Sequence, residues 1–596
     1  MTDSSNVRGT FFGDESFPIE WDEGQMDLLW VHDDLHIPNP VSPMYADIGG
    51  WWLKCDYMFR RFGTPFASDW IVKVINGYVY TAAVPAKAGI KAEGSEYGAR
   101  YVPRVPFDPE YPERMGAYLG WTLPYYADNF LDWWQSRLRP EIERNFERLD
   151  GYDYTRASLL DLAVLLEDAI DMHDRHWQIH WVLNFAQFSS TTALNTTIAE
   201  ARPNADNSAL MGRLQSSVEN RNWDSIKQLW EIKEKVKTDG GDVSAAFGKA
   251  TATDVLAALK ETEGGRAFLA QDIEAYQKVY GYKSMWAHEF SFKTWRENPA
   301  PIIEAVRGYL EIDYDFPAEI AAVAADLEAA KTEVMQDVPE GEQREKLARA
   351  LELSLKMNPL TPDHHFYIDQ GTNARVRIVL IAIGRKLVEA GILSDPEDVM
   401  YLHYNELRAV MGGGFPGDVS ELVSDRRDAR EDAYEVRPRD WVGTATDEAL
   451  AFPYLALWAF PEKFERKPAA AGEPIVGLPA SSGVVEGTAR VVLSPEEFEQ
   501  VQKRDIIVCR MTSPAWVVLF TRIGGLVTDA GGMASHPAVV SREFSIPAVV
   551  GTSDATRLIK TGDRIRVNGS TGQVEILESF KQSAEHLAVR DLSAHI

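Results

Sequence analysis

The chain has 596 residues, of which 45% are hydrophobic and 25% are charged, and its formal net charge is −29. This composition is typical of a globular protein with a sizeable core, and the negative charge argues against binding to nucleic acid or an anionic membrane. The two cysteines, Cys55 and Cys509, are far apart in sequence and predict neither a disulfide framework nor a cysteine zinc site. A polar N-terminus and the lack of a long apolar run predict a cytoplasmic protein with no membrane partner.

Residues 1–465 are predicted to form one large, mainly α-helical body. Its first part, 1–150, is rich in aromatic residues, proline and glycine, and we expect irregular structure there with short helices, including one over 46–61. Apolar residues then recur at helical spacing from 155 to 188. Further helices are expected over 205–238, 252–281, 300–312, 317–337, 339–357, 370–391 and 446–460.

Three histidines continue the apolar face of the helix predicted over 155–188. His173, His176 and His180 are spaced i, i+3, i+7, with Trp177 beside them, so they share one stripe of the helix. The plain interpretation is a set of hydrogen-bonded core histidines. The functional alternative makes the three histidines and Trp177 substrate-binding residues. A metal site would need further ligands, and metal ligands are left unassigned.

A second polar cluster lies in the segment TPDHHFYIDQGTNARVR, residues 361–377. We expect Asp363, His364 and His365 in a loop before a helix that carries Arg375 and Arg377. In the functional interpretation His364 or His365 is a general base for an acceptor hydroxyl, with Asp363 beside it. Arg377 would then clamp a phosphoryl group and Arg375 would bind substrate. The alternative is a solvated loop with a helix salt bridge.

The sequence pattern changes near residue 466. The segment RKPAAAGEP, 466–474, predicts a hinge linker because it is short, alanine-rich and flanked by prolines. Residues 475–578 contain short β-rich runs interrupted by helical pieces at 495–502 and 537–543, which predicts a compact α/β domain. A C-terminal tail, 579–596, is expected to add a last helix.

The stretch TDAGGMASHPAVVSREFSIPAVVGT, residues 528–552, carries the clearest chemical signal. Gly531 and Gly532 allow a tight turn after a strand, and Ser535 can cap a helix that begins near residue 537. His536 then lies at a helix N-terminus, where backbone N–H groups favour a phosphoryl dianion on the imidazole. We count Thr528, Gly531, Gly532 and Ser535 as support for this loop. A histidine that merely caps a buried turn is the alternative.

These residues closely resemble the phosphohistidine signature of the phosphoenolpyruvate-utilising enzymes, among them phosphoenolpyruvate synthase, pyruvate phosphate dikinase and rifampicin phosphotransferase. The resemblance extends to GLPASSGVVEGTARVV at 477–492 and MTSPAWVVLF at 511–520. It implies a phosphohistidine swivelling domain over 475–578, in which His536 takes up and hands on a phosphoryl group.

The body resembles the helical substrate-binding domain of rifampicin phosphotransferase, at 373–407 and at 21–44. We find no glycine-rich nucleotide loop, since the glycines at 240–250 have the wrong spacing and 412–416 is interpreted as a plain turn. The combination therefore resembles the larger subunit of phenylphosphate synthase and 4-methylphenyl-phosphate synthase.

That resemblance implies a phosphotransferase in which a separate ATP-grasp subunit, using ATP and Mg²⁺, charges His536. The group would pass to a small phenolic substrate such as phenol, cresol or an alkylphenol, so that ATP, phenol and water give aryl phosphate, AMP and phosphate. No organic cofactor is expected in this chain. Two alternatives stay open: a phosphotransferase for an antibiotic or another alcohol, and a non-enzymatic regulatory or binding subunit that bears phosphohistidine.

Overall fold

The computed structural model describes residues 7–62, 67–85, 116–452, 455, 460–465 and 473–580, apart from residues 204, 206, 337, 494, 514, 515, 521, 533 and 534. The chain divides into two compact units, Met1–Ala456 and Leu457–Ile596. The first is mainly helical and the second is α/β, so the predicted fold class is confirmed at that level. Most of the predicted hinge and nearly all of the tail lie outside the described residues.

The aromatic-rich N-terminal part contains a β-sheet, so the prediction of irregular structure there was wrong. Its strands are β1 (Val7–Phe11), β2 (Leu29–His32), β3 (Ala67–Ile75) and β4 (Tyr78–Pro85). The fifth strand, β5 (Trp441–Thr446), comes from the far end of the unit, and the antiparallel order is β1-β5-β2-β4-β3. Sequence periodicity misses this sheet because β5, which lies between β1 and β2, joins it from more than 400 residues away.

The hairpin between β3 and β4 shows why this sheet forms locally. Its two turn residues, Asn76 and Gly77, both have positive φ, 49° and 84°. Asn-Gly is the preferred pair for a tight hairpin turn because both residues tolerate that conformation. One face of the sheet buries a cluster of apolar and aromatic residues that includes Phe17, Trp30 and Tyr80.

Helices make up most of the rest of the first unit. They are Pro43–Ile48, Cys55–Phe62, Leu123–Trp133, Arg139–Asp150, Leu159–Ala201, Ser208–Leu214, Arg221–Asp239, Asp242–Phe247, Ala252–Glu261, Glu263–Phe268, Glu274–Tyr280, Ala300–Ile312, Phe316–Gln336, Glu342–Met357, Leu360–His364, Gly371–Glu389, Tyr404–Met411, Val419–Glu435 and Asp447–Leu450. Short 3₁₀ helices cover Gln25–Asp27, Trp51–Lys54 and Pro396–Tyr401. No helix among these described residues, or in the described part of the second unit, is long and apolar enough to cross a membrane.

The helix Leu159–Ala201 forms the axis of this unit. It begins at a capping box in which Ser158 and Asp161 each satisfy a backbone N–H of the other. It packs against both Glu342–Met357 and Gly371–Glu389. Because it is enclosed by neighbours, the apolar stripe predicted from sequence is buried along nearly its whole length.

Residues 360–389 are helical throughout, which corrects the expectation that Asp363, His364 and His365 lie in a loop. Leu360–His364 is α-helical, His365–Gln370 is a π-helical turn, and Gly371–Glu389 is α-helical again. A π turn accommodates one extra residue and brings residues i and i+5 onto one face. Such turns recur at functional sites.

The second unit contains one described helix, Phe460–Glu465, before its sheet. The eight strands are β6 (Ile475–Val476), β7 (Leu478–Ser481), β8 (Val484–Val491), β9 (Ile506–Cys509), β10 (Gly525–Thr528), β11 (Ala548–Val550), β12 (Arg564–Asn568) and β13 (Gln573–Glu578). Their order is β6-β13-β12-β8-β9-β10-β11-β7, and β8 to β11 are mutually parallel. The short helical segments are Pro495–Gln500, Val517–Phe520, His536–Glu543 and Ala555–Leu558. In parallel sheets, loops at the carboxyl ends of the strands are the usual place for a site.

Candidate functional site

His536 lies at the first position of the helix His536–Glu543, in the loop that leaves the carboxyl end of β10. Pro537 follows it in the first turn, where the missing N–H of proline costs nothing. His536 as a residue is partly exposed, its Nε2 is buried, and its ring meets the ring of Phe520 edge-on with centres 6.3 Å apart. The structure therefore places His536 at a helix N-terminus, as predicted.

Thr512 supports His536 from the neighbouring strand. It follows β9, which is parallel to β10, and its hydroxyl is 2.9 Å from Nδ1 of His536. A hydrogen bond on Nδ1 orients the ring and distinguishes Nδ1 from Nε2. Sequence reasoning did not single out Thr512, although the segment at 511–520 was recognised; the signal was a hydroxyl residue at the end of the adjacent strand.

The turn before His536 is held by its own polar groups. Gly531 has φ of +118°, and a Cβ there would lie 2.9 Å from the hydroxyl of Ser535. Ser535 occupies the N-cap position, but its hydroxyl donates to the carbonyl of Gly532 at 2.6 Å and makes no capping bond. Thr528 is buried, and its hydroxyl donates to the carbonyl of Ala530. The predicted capping role of Ser535 was thus wrong, because its hydroxyl closes the preceding turn.

Asp529 ties the end of β10 to the helix Ala555–Leu558. Its carboxylate accepts the backbone N–H of Thr556 at 2.9 Å and also the hydroxyl of that residue. Burial raises the pKa of Asp529 to about 6, although these hydrogen bonds oppose the shift. The carboxylate of Asp529 therefore anchors the start of the loop that carries His536.

The three histidines on one face of the helix Leu159–Ala201 have two different kinds of surroundings. The indole N–H of Trp177 donates to Nε2 of His173 at 2.9 Å. His176 is bonded on both nitrogens, by the amide of Asn145 at Nε2 (3.1 Å) and by the hydroxyl of Thr372 at Nδ1 (2.8 Å). His173 and His176 thus have the contacts of core histidines, whereas His180 lies one turn further along.

His180 belongs to a cluster built around the carboxylate of Asp369. Nε2 of His180 lies 3.9 Å from Oδ1 of Asp369, and Nε2 of His364 and of His288 each lie 4.0 Å from Oδ2. His365 donates a hydrogen bond from Nδ1 to Oδ2 of the same carboxylate. The π turn permits this arrangement, because it places His364, His365 and Asp369 on neighbouring faces of one helical segment.

A second histidine–carboxylate pair adjoins this cluster. Nδ1 of His36 donates to Asp33 at 2.8 Å, and the indole of Trp51 donates to the other oxygen of Asp33 at 2.7 Å. The rings of His36 and His288 are 5.6 Å apart. The side chains of His36 and His365 remain 31% and 29% exposed, so solvent reaches this side of the cluster.

Burial determines the protonation state of the inner imidazole rings. It lowers the pKa of His288 to about 4 and that of His364 to about 3, and it holds the pKa of His180 well below the usual range. The pKa of Asp369 is held well below its ordinary value by the hydrogen bond and charge of His365, against the opposing effect of burial. The inner site is thus a carboxylate facing neutral imidazoles.

Arg377 does not reach this cluster, so the prediction that it clamps a phosphoryl group was wrong. Its side chain is buried, with 1% exposed, and its guanidinium makes paired hydrogen bonds to Glu297 and to Glu397. A further N–H is bonded to the carbonyl of Phe290. These contacts use every N–H of the guanidinium, which leaves none for a phosphoryl oxygen.

Asp363 is also placed elsewhere. It accepts the backbone N–H of Arg221 at 2.9 Å, at the first turn of the helix Arg221–Asp239. Burial raises the pKa of Asp363 to about 6. The contact satisfies a helix N-terminus, and the structure does not bring Asp363 together with the Asp369 carboxylate.

Arg375 lines a cavity of about 420 Å³ in the first unit. Its guanidinium pairs with Asp150 at 2.6 and 3.0 Å and lies between the rings of Phe146 and Tyr282, 3.6 and 3.7 Å from their centres. The wall also contains Lys283, whose pKa is lowered to about 7 by burial. The remaining lining residues are Glu143, Glu147, Arg221, Lys278, Val279, Tyr280, Phe366, Tyr367, Gln370 and Gly371.

Three residues of the body that sequence reasoning missed are His36, His288 and Asp369. His36 and His288 are isolated in sequence, and only the folding of distant segments brings them to Asp369, which lies within the segment 361–377. The available signal for Asp369 was its spacing of four residues from His365.

Comparison with known families supports the two-part organisation. Residues 501–572, which include His536, match the family described as PEP-utilising enzyme, mobile domain. Residues 180–360 match the family described as rifampicin phosphotransferase fourth domain. The α/β unit is therefore similar to the mobile domains of phosphoenolpyruvate-utilising enzymes, and the helical unit is similar in part to rifampicin phosphotransferase.

Among curated proteins, the chain is 25% identical over 556 residues to the uncharacterized phosphotransferase YvkC of Bacillus subtilis, covering 93% of this chain and 62% of that protein. It is 34% identical over 314 residues to a rifampicin phosphotransferase of Bacillus cereus, covering 51% and 34%. It is also 28% identical over 601 residues to chondramide synthase CmdD of Chondromyces crocatus, covering 94% and 14%. The chain thus spans less than two thirds of these relatives.

Proposed function

We propose that this chain is the carrier and acceptor-binding part of a phosphotransferase, with His536 bearing the phosphoryl group. The observation that supports the carrier role best is the geometry of His536. The ring stands at a helix N-terminus above the carboxyl ends of β9 and β10, and Thr512 engages Nδ1. This arrangement makes Nε2 the nitrogen that bonds to phosphorus. The similarity of 501–572 to PEP-utilising mobile domains supports the same role.

In the proposed reaction a separate ATP-grasp subunit, with Mg²⁺, transfers the β-phosphoryl group of ATP to Nε2 of His536, while water takes the γ-phosphoryl group. AMP and phosphate are released. In the second step an acceptor hydroxyl oxygen bonds to phosphorus, the Nε2–P bond breaks, and its electron pair returns to Nε2. The hydroxyl proton passes to a base. We propose His365 as that base, because Asp369 accepts its Nδ1–H and so leaves the lone pair on Nε2.

The acceptor is proposed to be a small hydroxyl compound with an aromatic ring, a phenol or alkylphenol. The cavity beside Arg375 supports this choice, because its volume of about 420 Å³ falls in the range of small-molecule sites. Five of its lining residues are aromatic: Phe146, Tyr280, Tyr282, Phe366 and Tyr367. Aromatic rings bind one another through large contact areas.

A second candidate acceptor is an antibiotic or another alcohol. The similarity to proteins named rifampicin phosphotransferase favours it. A panel of hydroxylated compounds, offered to the phosphorylated chain, separates the two candidates by which compound removes the phosphoryl group.

The carrier role can be tested with this chain alone. Incubation with an aryl phosphate and the matching labelled phenol, without ATP, should move label into the aryl phosphate through phospho-His536. The exchange should vanish in His536→Ala and persist in His403→Ala, which removes an exposed histidine paired with Asp47. Exchange that survives His536→Ala would overturn the mechanism.

A further inference from the structure

Three potential metal ligands from two helical segments converge in the interior of the first unit. Ligand atoms of His180, His364 and Asp369 lie within 4.8 Å of one another, and all three residues are buried. We propose that these residues bind one divalent transition-metal ion of the zinc or iron(II) class. The inference rests on the geometry of this cluster and is independent of the acceptor proposed above.

The hydrogen bonding of His364 directs a lone pair into the cluster. Its Nδ1–H donates to the backbone carbonyl of Leu360 at 3.0 Å, so the unprotonated nitrogen is Nε2. That nitrogen lies 4.0 Å from Oδ2 of Asp369. A backbone bond on one imidazole nitrogen is how proteins orient a metal-binding histidine, because it sets the tautomer and the ring direction.

Asp369 supplies an oxygen that no hydrogen bond satisfies. The residue is 3% exposed, and within the described part of the chain no donor bonds to its Oδ1. The nearest ring nitrogen, Nε2 of His180, is 3.9 Å away, too far for a hydrogen bond. A buried carboxylate oxygen without a partner is costly, and a cation between Oδ1 and His180 removes that cost.

The spacing of these atoms fits a cation after a small inward movement. Adjacent ligands of tetrahedral zinc stand roughly 3.3 Å apart, given metal–ligand distances near 2.0–2.1 Å. Nε2 of His180 is 3.9 Å from Oδ1 of Asp369 and Nε2 of His364 is 4.0 Å from Oδ2, and one ligand atom from each of the three residues lies within 4.8 Å of the others. A bound cation would therefore draw the three side chains closer together.

Two further histidines complete the surroundings. Nε2 of His288 is 4.0 Å from Oδ2 of Asp369, which makes it a fourth ligand candidate. His365 holds Oδ2 through its Nδ1–H, as an outer partner that orients the carboxylate.

The donor set selects the metal class. Imidazoles with one carboxylate suit zinc, iron(II) and cobalt(II), whereas magnesium and calcium require oxygen ligands. A site with three protein ligands keeps a coordination position for water or a hydroxyl group, as catalytic metal sites do. This metal is therefore distinct from the Mg²⁺ expected with ATP.

The direct test is metal binding by the full chain after removal of metals with a chelator. We expect Zn²⁺ and Co²⁺ to bind at about one equivalent per chain and to raise the melting temperature, since a ligand that binds only the folded state stabilises it. Asp369→Asn and His364→Gln should each weaken Zn²⁺ binding by about 100-fold or more. Mg²⁺ should neither bind there nor compete.

His403→Gln is the matched control, because it removes a histidine from an exposed histidine–carboxylate pair. It should bind Zn²⁺ like the unmodified chain. Equal binding by all variants, or no saturable binding by the unmodified chain, would overturn the proposal.

The Co²⁺ absorption spectrum of the unmodified chain gives a second test that requires no folded variant. Visible bands of a four- or five-coordinate nitrogen–oxygen site are expected, and the spectrum of hexa-aqua Co²⁺ would overturn the proposal. Neither result depends on phosphoryl transfer, so loss of the proposed function would leave this test unaffected.

Discussion

The two units use histidine in opposite ways. In the α/β unit His536 stands at the mouth of a helix, partly exposed, with Thr512 on one ring nitrogen. In the helical unit the inner rings are buried, and four histidines surround the carboxylate of Asp369: His180, His288, His364 and His365. The first arrangement suits a group that takes up and releases phosphorus, and the second suits a fixed polar site. A histidine that carries a phosphoryl group must be reached by the donor and the acceptor, whereas a buried carboxylate needs a compensating positive charge.

The largest expected effect is that of removing the carrier. His536→Ala should lower aryl-phosphate exchange by at least about 10⁴-fold, the scale seen when a nucleophile is removed. Acid-labile phosphate on the protein should disappear in the same variant. Because the side chain is partly exposed, the melting temperature should hardly change. If instead the variant keeps its acid-labile phosphate, another histidine is the carrier. The proposed difference between the histidines of the two units would then be wrong.

Substitution of Arg377 tests whether this buried guanidinium stabilises the fold or takes part in catalysis. Arg377→Met leaves Glu297 and Glu397 without their buried partner, so the free energy of unfolding should fall by about 3–5 kcal/mol. Urea unfolding followed by circular dichroism measures this. Arg156→Met, which breaks an exposed pair with Asp153, should leave the unfolding curve nearly unchanged. Lost exchange at unchanged stability would restore the clamp role.

Asp529 should impose a pH dependence on the α/β unit. Its folded-state pKa of about 6 is raised above the ordinary value of 3.8, so between these pH values the folded state binds more protons than the unfolded state. Stability should therefore fall as pH rises from about 4 to 6, by about 3 kcal/mol. Asp529→Asn, which cannot ionise, should remove this slope in urea titrations. A slope that persists in the variant would assign the effect to another group.

Thr512 should have the smallest effect. Thr512→Val keeps the shape but removes the bond to Nδ1 of His536, and phosphoryl uptake should slow by about 10-fold, the equivalent of one hydrogen bond. Thr512→Ser restores the hydroxyl and should recover most of the rate. Equal rates in Thr512→Val and Thr512→Ser would show that ring orientation does not depend on this contact.

Sequence reasoning reached His536 because its surroundings are local. The end of β10, the glycine turn, the histidine and the helix lie within one segment of 25 residues, 528–552. Short-range hydrogen bonding and the conformational freedom of Gly531 decide that geometry, so a contiguous pattern is sufficient to predict it. The finer prediction for Ser535 failed because its hydroxyl donates to the carbonyl of Gly532 and accepts no backbone N–H of the helix that follows.

The helical unit was predicted less completely. Periodicity identified most helices and placed His180 on a buried stripe, but it could not separate His180 from His176. That distinction arises from which neighbours meet each ring: Asn145 and Thr372 at His176, and Asp369 at His180. The assignment of Arg377 failed for the same reason, since its carboxylate partners are distant in sequence.

The amino-acid sequence by itself determined the order of a helical body and an α/β domain, the histidine proposed as the carrier, and the helical segments that bear the cluster. Only the tertiary structure decided that His36, His180, His288 and Asp369 converge, and that β5 completes a sheet begun by β1. Periodicity and turn propensity report interactions within about one turn or one hairpin. Pairing across hundreds of residues depends on burial and packing, which only the complete fold specifies.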